Sequence, residues 1–152
     1  MASSITYTAL PGLPLVEPGD DLVAMIVEGV RRTGLAVAAG DVFVVAQKIV
    51  SKAENRYVDL ADVTPSARAL ELAGVVGKDP RHIEVVLSES TEVVRCRQNV
   101  MIVAHRLGFV MANAGIDESN IAHAEGKARV LLLPKDPDAS SERLRQGLRG
   151  AF

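Results

Sequence analysis

Apolar residues fall into short runs separated by glycine, proline and acidic breaks, and their spacing switches between the periods of strand and helix. Ile5 to Leu10 alternates and reads as a strand that runs into a loop at Pro11, Gly12, Leu13 and Pro14. Pro18-Gly19-Asp20-Asp21 supplies a helix start. Leu22, Met25, Ile26, Gly29 and Val30 then recur at helical spacing and predict a helix to Arg32, closed by Gly34. Val42 to Ala46 is apolar throughout, the pattern of a strand buried on both faces. Glu54-Asn55 turns the chain, and Tyr57-Val58 begins a return strand.

In the second half, Thr64-Pro65-Ser66 reads as an N-cap with proline at the first helical position. That helix carries Leu70, Leu72, Val75 and Val76 and stops at Gly77. Asp79-Pro80 repeats the signal for a helix with Ile83, Val86 and Leu87. Three strands are expected next, Glu92 to Arg97, Val100 to His105 and Gly108 to Ala112. The polar loop NAGIDESN follows, then an apolar run from Val130 to Leu133, a proline-bounded loop from Pro134 to Asp138, and a final helix capped by Ser140 or Ser141 and running to Leu148. The order predicts a mixed α/β (α+β) single domain over residues 1–152, a mixed sheet with short flanking helices, with no repeat and no linker.

Composition narrows the function more than the fold. The 152 residues contain no Trp, two Tyr and three Phe, so base stacking is not the main binding device. Lys+Arg 17 against Asp+Glu 19 gives a net charge of -2, which argues against a nucleic-acid partner. One cysteine excludes an internal disulfide framework and fits a reducing compartment. No apolar run is long enough to span a membrane, and MASSITYTALPGLP lacks the features of a signal peptide, so a cytoplasmic protein is expected.

Three clusters put polar groups at the ends of apolar runs, where ligand sites in α/β proteins concentrate. The first is Gln47-Lys48-Ile49-Val50-Ser51-Lys52. If the strand continues, Lys48 and Lys52 share a face and their ammonium groups can hold a polyphosphate; the plainer reading is a solvated strand end. The second is NAGIDESN, where Asp117 and Glu118 offer hard oxygen ligands and magnesium needs only one or two carboxylates beside phosphate and water; the plainer reading is a solvated turn. The third is the Gly12, Leu13, Pro14, Leu15 loop, whose backbone amides can approach a phosphate or a base, less well than a phosphate loop because proline lacks the donor. His82, His105 and His123 lack metal-ligand spacing and read as core or surface residues, and Cys96 as a buried structural thiol.

The segments GLPLVEPGDDL, GDVFVVAQKIVSKAENR, VDLADVTPSARALELA, KDPRHIEVVLSES, GFVMANAGIDESN and LLLPKDPDASSERLR occur in this order. Together they closely resemble the N-terminal part of the coenzyme F420-0:L-glutamate ligase (gamma-glutamyl ligase) family. QKIVSKAE and NAGIDESN are the most specific of them. The resemblance implies a mixed α/β enzyme, an intertwined homodimer, that uses GTP with Mg2+ or Mn2+, a monovalent cation being a further candidate. It implies addition of L-glutamate to coenzyme F420-0, a deazaflavin. The substrate carboxylate is phosphorylated and the glutamate amine then attacks the acyl phosphate. By the same resemblance, Gly12, Leu13, Pro14 and Leu15 contact the guanine nucleotide, Gln47 and Lys48 make a second nucleotide contact, Lys52 meets phosphate, Asp117 ligates the metal, and Asn120 contacts nucleotide. Lys52 and Asp117 are the catalytic candidates. Phosphoryl transfer to a carboxylate gathers anions, which lysine and metal must offset.

Family members are expected to continue beyond a helix like SSERLRQGLRGAF into a strand ending in an Asp-Thr pair, then a GR motif and a glutamine-containing segment, all completing the metal and nucleotide site. None of these precedes Phe152. The chain therefore reads as the N-terminal, C-terminally truncated portion of such a ligase: either it is a fragment or a C-terminal partner segment supplies the rest. The alternative is a degenerate homologue acting as a non-catalytic nucleotide-binding or scaffolding module.

Overall fold

Burial on either side of one helix organises the molecule, described over residues 4–118 and 128–152 by a computed structural model. That helix, α4 (Pro80–Ser88), begins where Asp79 caps the Arg81 amide and Pro80 fills a position whose amide would be unpaired in any case, as the sequence predicts. It presents Ile83 and Val86, both fully buried, to one sheet and Val85 to another. The first sheet is antiparallel, in the order β2 (Ser90–Arg97), β3 (Val100–His105) and β4 (Val110–Ala112). Along β3 the alternation places Met101, Val103 and His105 inward, as the period of two requires. The second sheet pairs β1 (Tyr57–Asp59) with β5 (Arg129–Leu131), also antiparallel, with the Arg129 guanidinium 4.7 Å from the centre of the Tyr57 ring. The mixed α/β class is the one expected, and every observed ladder is antiparallel.

Helix α3 (Ala67–Val76) covers the three-stranded sheet with Ala69, Leu72, Ala73 and Val76. Each large apolar side chain so buried contributes about 1.5–3 kcal/mol. Its N-cap is Ser66, which accepts from the Ala69 amide, and not Thr64: Pro65 lies outside the helix. Gly77 ends it at φ 73°, where an added Cβ would also meet the Gln98 side chain.

A second core joins α1 (Leu22–Thr33) to the last helix, α5 (Pro137–Ala151). Ile26, Val27 and Val30 pack with Leu148, and Gly147 lets the helices approach so closely that an added Cβ would lie 2.6 Å from Val23. Helix α5 begins earlier than expected. Asp136 is the cap and Pro137 the first helical residue, whereas Ser140 is buried and bonds the Asp136 carbonyl.

Two expected strands do not form ladders among the described residues. In the segment from Ile5 to Leu10, Ile5 and Tyr7 are exposed and only Leu10 packs, against the α1 core. From Val42 to Ala46, Phe43 and Val45 pack on that same core, while Val42 and Val44 are 82% and 86% exposed. An apolar pattern gives a strand only where a partner supplies the hydrogen bonds, and among the described residues no strand lies beside either segment. The return strand at Tyr57 pairs instead with β5, seventy and more residues away in sequence. Lys48 and Lys52 are also not on a strand: residues Gln47–Ala53 form helix α2.

Candidate functional site

Helix α2 (Gln47–Ala53) is rich in good helix formers and is tied internally by Gln47, whose Nε2 donates to Ser51 Oγ at 2.6 Å. Ser51 is fully buried, which fixes the helix rotation. Lys48 and Lys52, four apart, therefore share one half-buried face. The Lys48 ammonium reaches Asp117, with Nζ 2.7 Å from Oδ2 and the two side chains 40% and 18% exposed. Lys52 is half-buried and makes no ion pair among the described residues.

Asp117 is held by its backbone. Its amide donates to the Leu131 carbonyl at 3.0 Å and its carbonyl accepts from the Leu131 amide at 2.9 Å, which adds a bridge on the free edge of β5. The chain reaches it through a turn, Asn113–Gly115, in which Asn113, Ala114 and Gly115 all take positive φ (49°, 51° and 67°). Left-handed backbone at a fully buried alanine costs about 1–3 kcal/mol and persists where packing over-determines it. The amide oxygen Oδ1 of Asn113 is buried with no hydrogen-bond partner among the described residues. One turn thus carries two hard oxygen donors, a buried amide oxygen and a carboxylate facing an ammonium. That chemistry suits a small divalent cation completed by phosphate oxygens and water. Among the described residues there is no group of three His, Cys, Asp or Glu side chains. Any cation there would share its coordination with other groups.

The Gly12, Leu13, Pro14, Leu15 loop sits on α1. The Gly12 carbonyl accepts from Arg32 at 3.0 Å, Leu13 rests against Gly29, and Leu15 is 85% exposed. Among the described residues no hydrogen bond or ion pair joins this loop to α2 or Asp117; the chain next touches α2 when the Gly19 amide donates to the Ala53 carbonyl. A groove of about 220 Å³ lies between α1, α2 and α5, lined by Asp21, Val50, Ala53, Glu54, Ser140 and Arg143. Glu54 accepts there from Ser140 and Arg143. Val50 and Glu54 lie on the far side of α2 from Lys48. Asn120 and His123 fall outside the described residues.

Two buried clusters were not legible as such in the sequence. Glu89, 8% exposed, accepts from Arg56 at 3.0 Å and Arg106 at 2.9 Å, while the same guanidinium groups donate to the Leu133 and Lys135 carbonyls. His105 lies beneath it, Nε2 3.6 Å from Glu89, with Nδ1 accepting from the Leu107 amide; burial lowers its pKa and Glu89 opposes that shift. His82, 3% exposed, sets Nδ1 against Glu118 Oε1, and burial likewise lowers its pKa while Glu118 raises it. No spacing rule links positions 82 and 118. Cys96 is half-buried as a structural thiol, with its pKa raised by burial. Among the described residues no helix is long and apolar enough to cross a membrane.

Residues 12–152 match the family model described as F420-0:gamma-glutamyl ligase. The chain is similar to coenzyme F420:L-glutamate ligase of Methanothermobacter thermautotrophicus, 41% identical over 147 residues that cover 97% of this chain and 57% of the relative. It is 42% identical to the same-named protein of Methanopyrus kandleri over 134 residues, covering 88% and 50% respectively. With that of Halorubrum lacusprofundi it is 43% identical, covering 92% and 54%. The chain spans about half the length of the curated relatives it matches.

Proposed function

The chain belongs to the F420-0:gamma-glutamyl ligase family, and from that premise we propose that a protein containing it forms an amide between L-glutamate and coenzyme F420-0, driven by GTP. The observation that supports this reading is the 2.7 Å contact between Lys48 and Asp117. It joins a cationic helix face and an acidic turn, the pairing that a metal-bound triphosphate needs. In this reading Lys48 and Lys52 would face phosphate oxygens, and the carboxylate of Asp117, with the buried amide oxygen of Asn113, would hold Mg2+ or Mn2+. The bound cation supplies neutralisation of charge on the transferring phosphoryl group. With a cation held by Asp117, the Lys48 ammonium would be available to phosphate. Gln47 orients within α2 through Ser51. The Gly12–Leu15 loop and Asn120 are proposed as contacts for the nucleoside portion, and a monovalent cation as an additional charge. The F420-0 carboxylate would be activated as an acyl phosphate by the terminal phosphoryl group of GTP, with GDP leaving, and the glutamate amine would then displace phosphate, because a free carboxylate does not accept an amine. Assembly as a homodimer and a cytoplasmic location belong to the same proposal.

The test is release of GDP by the protein containing this chain, given F420-0, L-glutamate, GTP and Mn2+. Asp117→Asn should raise the Mn2+ concentration needed for half-maximal rate at least several-fold while leaving the fold intact by circular dichroism. GTP binding with no GDP release would favour the non-catalytic module, and an unchanged Mn2+ requirement would remove Asp117 from the site.

A further inference from the structure

We infer that His82 is a positioning residue that ties the turn carrying Asp117 to the protein core. The argument starts from α4. Ile83 and Val86 anchor this helix in the main core, which also contains Ala114 of the left-handed turn and packs against Ile116. His82 is one residue before Ile83 and is itself 3% exposed. Its Nδ1 faces Oε1 of Glu118, the residue directly after Asp117, and the Glu118 side chain is 59% exposed. Asp117 is thereby held on both sides. The bridge to Leu131 fixes its backbone, and the His82–Glu118 contact fixes the chain as it leaves.

The histidine is costly where it stands. Neither ring nitrogen makes a hydrogen bond of regular geometry among the described residues, and a leucine there would bury similar volume without a polar atom. A residue chosen for packing alone would not carry two such nitrogens. The Glu118 contact is what the imidazole supplies and an aliphatic side chain does not. An N–H donor suffices for this role in either protonation state, so a glutamine can replace it. That the turn is held follows from these contacts. What it is held for rests on the function proposed above.

The experiment compares His82→Leu, His82→Gln and Glu118→Ala in the 152-residue chain without ligand. Amide hydrogen exchange is read at Asp117 and Leu131, with Ile83 and Val103 as core reporters and urea unfolding as the measure of global stability. His82→Leu and Glu118→Ala should each speed exchange at Asp117 and Leu131 about threefold to tenfold, as expected for loss of a partly exposed charged contact. The double variant should add nothing further, and His82→Gln should restore protection. The core reporters should stay as protected as in the parent, and His82→Leu should be globally as stable or more stable. Unchanged exchange at Asp117 in His82→Leu, or equal loosening of turn and core, overturns the inference and leaves His82 as a packing residue. Absence of GTP or Mn2+ binding by the parent protein would count against the proposed function and not against these exchange rates.

Discussion

Replacing Glu89 by glutamine keeps the shape of a buried side chain and removes one negative charge. The carboxylate accepts from two guanidinium groups, Arg56 at 3.0 Å and Arg106 at 2.9 Å, and its own side chain is only 11% exposed. The two arginine side chains are 22% and 29% exposed, so water takes up part of what they lose. Glutamine retains one carbonyl oxygen. One charge-assisted hydrogen bond disappears and the other becomes a bond to a neutral acceptor. At about 1.5–3 kcal/mol for a charge-assisted bond, discounted for that partial exposure, the loss is about 2–4 kcal/mol. Against a total stability of about 5–15 kcal/mol this is a large fraction. The loss should be read by urea unfolding followed by circular dichroism, as a lower midpoint at unchanged slope, because the same apolar surface is buried in both proteins. Glu92→Gln, on the exposed part of β2, is the matched control and should change stability by less than about 0.5 kcal/mol. A Glu89→Gln loss no larger than that of the control would refute the claim that this carboxylate joins the start of β1 at Arg56, the end of β3 at Arg106 and the Leu133–Lys135 segment.

The remaining expectations concern the candidate site, the helix crossing and pH. Lys52→Ala should weaken binding of GTP in the presence of Mn2+ by about 1–3 kcal/mol, measured calorimetrically, with little effect on unfolding, since Lys52 makes no ion pair among the described residues. Gly147→Ala should lower the melting temperature, because a Cβ 2.6 Å from Val23 forces the helices apart at about 1–3 kcal/mol, more than the gain of up to about 1 kcal/mol in helix propensity. Burial depresses the pKa of His105, so the unfolded chain binds the proton more readily than the folded one. Stability should therefore hold above pH about 6.5 and fall as pH drops through that value toward the folded pKa, and His105→Gln should flatten that slope in urea titrations at several pH values.

What the sequence made legible were features that need only neighbours along the chain. The Asp79-Pro80 start of α4, the β2–β3–β4 meander and the Gly34 and Gly77 helix ends are local patterns, and the structure has them. The two strand errors share one cause. Val42 to Ala46 is a continuous apolar run and Ile5 to Leu10 has a strand-like composition, yet strand is a statement about a partner, and among the described residues neither segment has one. The Glu89 cluster and the His82–Glu118 contact were illegible for the same reason: each joins positions whose separation no periodicity encodes. Capping errors at Thr64 and Ser140 arose where two acceptable caps stood a few residues apart, and tertiary contacts chose between them, Ser140 being drawn to Glu54.

Lys48 and Lys52 share a face although the element is a helix and not the expected strand, and the reason is geometrical. Residues four apart share a face in a strand, whose period is two, and in a helix, whose period is 3.6. A candidate site argued from that spacing does not depend on which element forms. Gln47 and Ser51 do depend on it. In a strand they too would share a face, but the 2.6 Å bond from Nε2 to Oγ requires the closer approach that a helical turn provides. The same distinction applies to Asp117. Its side chain meets Lys48 because α2 packs against β5, and the bridge to Leu131 sets the acidic turn on that strand. The chemistry of the candidate site is thus written in residue types and spacing, while its assembly depends on β5, the element that carries the turn to the helix.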